Sequence, residues 1–372
     1  MSIYNYIDNY GMKTFEEMEL KRVDAVLFSF LSYANFDGIL ENGPLTIKEA
    51  GRIHLSSFKG KDNNIIAIRE ANKLLRYIKD TNRYKNCILS NYKYIANNDI
   101  QFGVIAIEFK KNHVFISFEG TDEMFSGWKE NFMLTLQFPT ISHKAAIRYV
   151  NDLYTFSNKT LYLGGHSKGG NFALVAGMYC NGLIRRKVKH IYNIDGPGVL
   201  DAEFNSKQYQ DIRNKYTHII SDYSIVGLFF NHDNDIIVKS DNKGPLAHDI
   251  VNWPVEKDHF IPSELSKLSL DIEKGFKDIL EKYSDEERLD FINNLDLLFA
   301  RANVKTILDL KSDYKKIIKL IYESRDIDET TKNLTIDCIK MLVKSFSTVK
   351  KEEIQRFLSE KVDKVKSIKS AS

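Results

Sequence analysis

Between residues 102 and 118 the apolar positions fall into two β-like runs. Phe102, Val104, Ile105, Ile107 and Phe109 crowd the first, Val114, Ile116 and Phe118 alternate through the second, and the polar Lys110-Lys111-Asn112 between them reads as a hairpin turn. Short apolar runs at 160–163, 188–194, 216–221 and 236–239 read as further strands, whereas 128–136, 145–156 and 168–180 carry helical spacing. Strands alternating with helices across 100–250 predict an α/β sheet, mostly parallel and flanked by helices, with an antiparallel pair at its start.

Helical patterns bracket this region. Residues 1–60 read as a helical lead-in: Thr14-Phe15-Glu16-Glu17 has the form of a capping box, and 23–31 and 47–53 are apolar with helical spacing. The stretch 65–78 follows Asn63-Asn64, which suits a cap, and lines up Ile65, Ile68, Ala71, Leu75 and Ile78 on one side. From Pro262 onward no strand-like alternation survives. Helical spacing runs through 263–279, 284–300, 303–322, 333–346 and 351–368, with Ser284-Asp285-Glu286-Glu287 as a second capping box. The expected division is therefore an α/β domain over 1–262 and an all-helical C-terminal module over 263–372.

Composition narrows the possibilities. The chain has 372 residues, 43% of them hydrophobic, which is enough for a substantial core and a second, smaller unit. A net charge of +3 without a basic block interleaved with aromatics argues against nucleic acid as a partner. Three widely spaced cysteines (Cys87, Cys180, Cys338), an N-terminus without a signal-like apolar run and no stretch of ~18 apolar residues predict a cytoplasmic protein. Neither H-E-x-x-H nor C-x-x-C occurs, and an EF-hand loop begun at Asp233 would put Gly244 where its glutamate belongs. No metal and no cofactor are expected, and G-x-G-x-x-G is absent too. The apolar stripe of 351–368 (Ile354, Phe357, Leu358, Val362, Val365, Ile368) is flanked by lysines. It is read chiefly as a packing face, with weak membrane-surface contact as the alternative. Met124, Phe125 and Trp128 suit either a lid over an acyl pocket or ordinary packing.

The candidate chemistry centres on Gly165-His166-Ser167-Lys168-Gly169. G-x-S-x-G between a strand and a helix is the setting of a nucleophile elbow, where a serine sits in a strained turn with Oγ exposed at the end of a sheet. Gly165 and Gly169 give the turn its room, and the following helix offers the Lys168 N–H to a developing oxyanion. A second donor is expected from the loop after the hairpin, where Gly120 permits a tight turn and Thr121 supplies an N–H.

A serine nucleophile needs a base, and the base needs an acid, following it in the chain in the order Ser, acid, His. That order leaves His232, His248 and His259. His248, in a polar loop beyond the last short strand, is the favoured base. Strand histidines His190 and His218 are read as satisfied by their neighbours. Asp222, ending one strand, is the favoured acid. Asp195 ends the strand before it, but its Gly196-Pro197-Gly198 neighbours suggest a turn role, and Asp233 and Asp235 read as loop charges.

The segments Gly-His-Ser-Lys-Gly-Gly-Asn (165–171), Phe-Glu-Gly-Thr-Asp (118–122) and Gly127-Trp128-Lys129-Glu130, with His248-Asp249 and Trp253, resemble the Mbeg-like bacterial hydrolases, relatives of the fungal-type (class 3) lipases. Tyr6-Ile7-Asp8, Leu31-Ser32-Tyr33 and Asp285-Glu286-Glu287-Arg288 extend the resemblance over nearly the whole chain. It implies an α/β-hydrolase fold, with Ser167 as nucleophile, Asp222 as acid, His248 as base and Thr121 with Lys168 as oxyanion donors. Two positions depart from the pattern: Glu119 stands where arginine is usual, and Asn131 where an acid is common. The expected activity is cleavage of carboxylic esters, with lipid-like acyl substrates. The alternatives are a thioesterase, or a non-catalytic scaffold that binds a protein partner.

Overall fold

The computed structural model describes residues 2–57, 65–97, 100–121, 132–304 and 314–343. The chain divides into two compact units, Met1–Asp122 with Gln137–Ser269, and Glu123–Leu136 with Leu270–Ser372.

The first unit is built on an eight-stranded sheet whose strands lie side by side in chain order. They are β1 (Leu45–Thr46), β2 (Ile88–Ala96), β3 (Gln101–Lys110), β4 (His113–Phe118), β5 (Thr160–His166), β6 (Val188–Ile194), β7 (Tyr216–Ser221) and β8 (Asp235–Val238). Pairings from β1 to β4 are antiparallel and those from β4 to β8 are parallel. This is the α/β-hydrolase fold that the sequence predicts. The antiparallel part is longer than expected, because β2 precedes the hairpin. β2 escapes a periodicity reading for a physical reason: only Leu89 along it is buried, and a register shift between Ser90 and Lys93 breaks its alternation.

Period-2 alternation sends successive side chains of β3 to opposite faces. Ile105, Ile107 and Phe109 join a core with the helix Arg22–Leu31 and the helices Ile47–Ser57 and Ile66–Ile78. Phe102, Val104 and Ala106 join a second core with the helices Ile141–Tyr154 and Lys168–Tyr179. On the first face Asp24 is fully buried, and its carboxylate accepts from the Tyr6 and Tyr84 hydroxyls and from Arg83 Nε. Burial of that charge is tolerated because every lone pair is engaged. Glu17 and Thr14 do exchange capping-box hydrogen bonds, yet the residues after Thr14 form an isolated turn rather than a helix.

The second unit, where described, is helical: Asp285–Ala302, Tyr314–Ser324 and Glu329–Val343 pack around Leu298, Ile317, Leu320 and Ile339. Ser284 caps its helix as expected, accepting from Glu287 N while Glu287 accepts from Ser284 N. Phe132, Met133 and Leu136 pack with this unit, although the sequence reading left them in the first. The division also falls at residue 269 rather than 262. Ser266 N and Ser269 Oγ both donate to the carbonyl of Asp222, which fastens 263–269 to the end of β7. Met124, Phe125, Trp128, Asn131 and the stretch 351–368 lie outside the described residues. No described helix is long and apolar enough to cross a membrane.

Candidate active site

Strand β5 ends at His166, and the helix Lys168–Tyr179 begins one residue after Ser167. Ser167 itself takes φ 57° and ψ −133°, a conformation that L side chains rarely adopt. The surroundings hold it there: Ser167 N donates to the Ile194 carbonyl at the end of β6, and Gly170 N donates to the Ser167 carbonyl. Gly165 and Gly169 face one another so closely that a Cβ on Gly165 would lie 2.3 Å from the Gly169 carbonyl oxygen. A Cβ on Gly169 would lie 2.2 Å from that of Phe118. The turn therefore admits only glycine at both positions.

The loop after β4 closes on the same point. A Cβ on Gly120 would come within 3.0 Å of the Ser167 Cβ, which puts Gly120, the residue before Thr121, against the turn. Lys168 begins the helix, where backbone N–H groups lack intrahelical acceptors. Its side chain is buried, with Nζ 5.6 Å over the Phe172 ring.

His248 closes a 3-10 turn, Gly244–His248. Its Nδ1 donates to a carboxylate oxygen of Asp195 at 2.7 Å, which leaves Nε2 as the proton-accepting nitrogen. Asp195 is fully buried, and Ser224 Oγ donates to its other oxygen. Asp222 does not reach His248. Its carboxylate accepts from Ser240 N and Ser263 Oγ, a clasp between the ends of β7 and β8 and the segment beyond. The reason lies in strand order. β6, carrying Asp195, is the immediate parallel neighbour of β5, whereas β7, carrying Asp222, is one strand further away. The Asp222-Tyr223-Ser224 turn does serve the site, through Ser224 rather than Asp222.

His166 supports His248 from below. Its Nε2 donates to the His248 carbonyl at 2.8 Å, its Nδ1 accepts from the Tyr33 hydroxyl at 3.0 Å, and the two imidazoles lie 4.4 Å apart. Burial, reinforced by the neighbouring His248, holds the His166 pKa well below the usual histidine range, so this ring stays neutral. On the other side Trp253 Nε1 donates to the Ala247 carbonyl. Asp249, next along the chain, is pushed up to about 6 by burial, with the Glu70 charge adding to it against the Val251 N–H.

The other histidines lie elsewhere. His232 Nδ1 meets Asp235, His259 meets Asp258 at the surface, and His190 Nε2 meets Thr217 Oγ1. Asp233 is not the solvated loop charge expected of it: its carboxylate accepts from the Tyr209 hydroxyl and from Arg213 Nε and is largely enclosed. His218, His232 and Asp235 converge as a group of potential metal ligands, among the described residues.

The Mbeg1-like family profile matches residues 78–299, more than half of the chain and inclusive of Ser167, Asp195 and His248. The chain belongs to the Mbeg1-like family. Among solved structures it is similar to the M37 lipase, at 14% identity over 56% of this chain and 69% of that one, with a TM-score of 0.34. No curated protein matches.

Proposed function

We propose that the protein is a serine hydrolase of carboxylic esters, with lipid-like acyl chains as its substrates. The observations that carry this reading are the His248–Asp195 pair, packed against His166, and the next residue, Ser167, held at positive φ between strand and helix. In the proposed cycle Ser167 Oγ attacks the ester carbonyl while His248 Nε2 takes its proton. Asp195 fixes the tautomer and stabilises the imidazolium that forms. The N–H groups of Thr121 and Lys168 receive the oxyanion. The alcohol leaves with the proton from His248, and water, activated by the same imidazole, releases the acid from the acyl-enzyme. Burial of Asp195 supports its part, since a carboxylate removed from water acts more strongly on the imidazole it touches.

The three cysteines are unpaired, which suits a reducing compartment, and we assign the protein to the cytoplasm. Covalent labelling with a fluorophosphonate probe tests the activity. The wild type is expected to label and Ser167→Ala to lose the label, after which a panel of acyl esters of increasing length gives the substrate range. A folded wild type that stays unlabelled both alone and with lipid vesicles would overturn the reading in favour of a partner-binding scaffold.

A further inference from the structure

The group formed by His218, His232 and Asp235 lies outside the catalytic machinery proposed above. His218 comes from β7, Asp235 opens β8, and His232 stands in the loop before it. One ligand atom from each residue lies within 4.8 Å of the others. His218 Nδ1 and His232 Nδ1 each sit 2.8 Å from an oxygen of the Asp235 carboxylate, one on either oxygen. The sequence spacing H-x₁₃-H-x₂-D matches no compact metal motif. Only the parallel pairing of β7 with β8, which sets His218 opposite Asp235, brings the three together.

The far side of His218 is the informative part. Its Nε2 faces the Gly196 carbonyl at 2.9 Å, and a carbonyl only accepts, so Nε2 must carry a proton. A neutral His218 then presents a bare lone pair on Nδ1 toward the group. Without a cation, that lone pair would face a carboxylate oxygen in a side chain with no exposure to water, unless the ring carried a second proton and a buried charge. An imidazole whose outer nitrogen is fixed by a backbone carbonyl, and whose inner nitrogen is aimed at another imidazole and a carboxylate, has the arrangement of a metal ligand with its supporting shell. His232 and Asp235 remain partly open, which leaves room for a water on the ion.

We propose that His218 Nδ1, His232 Nδ1 and the Asp235 carboxylate bind one divalent transition-metal ion of the zinc type. Two imidazole nitrogens and one carboxylate are borderline-hard donors that suit Zn²⁺ better than Ca²⁺ or Mg²⁺. Ligand atoms on a tetrahedral zinc stand about 3.3 Å apart, so small rotations of the surface-side His232 complete the site. As the ion binds, His218 keeps its Nε2 proton on the Gly196 carbonyl and gives up any proton on Nδ1 to solvent, while His232 Nδ1 gives up its proton or shifts it to Nε2. Asp233 takes no part, being held by Tyr209 and Arg213. The ion would join β7, β8 and, through the Nε2–Gly196 bond, the turn that carries Asp195. Its role is to brace that turn, and no step of ester cleavage passes through it.

The test uses the full chain without a histidine tag, stripped by a chelator and titrated calorimetrically with Zn²⁺. One ion per chain is expected. His232→Ala and Asp235→Asn should each weaken binding by ~10–100-fold or more, while His259→Ala, which removes another surface histidine, should leave it unchanged. Co²⁺ should give the visible absorption of a tetrahedral site in the wild type and lose it in His232→Ala. Circular dichroism establishes that the variants are folded, and Asp235→Asn keeps the test decisive if His232→Ala is not. Absence of stoichiometric binding by the wild type, or equal binding by all variants, would overturn the proposal. Neither readout depends on hydrolase activity.

Discussion

Nδ1 of His248 lies 2.7 Å from the buried carboxylate of Asp195, although the two are 53 residues apart with β7 and β8 between them in the chain. Asp195 also accepts from Ser224, so its position is fixed from two sides. This arrangement predicts a sharp contrast between two aspartates. Asp195→Asn can keep a contact to His248, but as a neutral amide it no longer stabilises the imidazolium and favours the wrong tautomer. Fluorophosphonate labelling should slow by roughly 10³-fold or more. Asp222→Asn retains an acceptor for Ser240 N and a partner for Ser263 Oγ. It should label within a few-fold of wild type. Equal losses in the two variants would contradict the assignment of the acid.

His166 carries the second prediction. Replacing it with Phe keeps an aromatic body beside Phe30 and Tyr33 but removes the hydrogen bonds that His166 makes to the His248 carbonyl and to the Tyr33 hydroxyl. The loss of an intramolecular hydrogen bond costs about 0.5–1.5 kcal/mol, so the urea midpoint should fall. Labelling should slow as well, because the loop bearing His248 loses an anchor. Tyr33→Phe removes one of the two bonds and leaves the His248 carbonyl paired. It should destabilise the protein while labelling at close to the wild-type rate.

What could be read from the sequence, and what could not, follows the range of the interactions. The elbow was legible because its constraint is local: a serine at positive φ needs small neighbours two residues away on either side, and Gly165 and Gly169 stand there. His248, the proposed base, is marked in the sequence by chain order and a polar loop. The carboxylate that meets His248 was not legible, because Asp195 and Asp222 both end apolar strands, and only the placing of those strands in the sheet brings Asp195 to the imidazole. The Gly196-Pro197-Gly198 run looked like a reason to set Asp195 aside. In the structure Gly196 is needed for close approach, since a Cβ there would lie 2.1 Å from the Ser167 carbonyl oxygen. The His218 group was invisible for the same reason, as its members meet only across strands.

Glycine packing gives a third prediction. Gly169→Ala would drive a methyl group onto the backbone of Phe118 and Glu119, which cannot move without disturbing β4. Overpacking of this kind typically costs 1–3 kcal/mol, and rigid backbone on the receiving side argues for about 3 kcal/mol. Gly182 opens the short helix Gly182–Lys187 with nothing within 4 Å of its would-be Cβ. Gly182→Ala should therefore be neutral or raise stability by about 0.4–1 kcal/mol through the unfolded chain. Thermal melts of the two variants should move in opposite directions, or at least differ by several degrees.

Asp249 ties stability to pH with a definite sign. Its carboxyl ordinarily titrates at 3.8 and is pushed up to about 6 in the folded protein, by burial first and then by the charge of Glu70, against the Val251 N–H and the charges of His248 and Arg69. Between those two values the folded state holds a proton that the unfolded state has released, so stability falls as pH rises through this window. Above about pH 6 the full cost of an ionised Asp249 is present. Below 3.8 both states are protonated and the cost is gone. Asp249→Asn removes the ionisation while keeping an oxygen to accept from Val251 N. It should stabilise the protein at pH 7.5 by about 1–2 kcal/mol, allowing for solvent screening of a side chain that is not fully enclosed. At pH 4 the difference should shrink toward zero. Urea unfolding of wild type and variant at both values measures it, and a gain that is the same at pH 4 and 7.5 would trace the effect to packing rather than to charge.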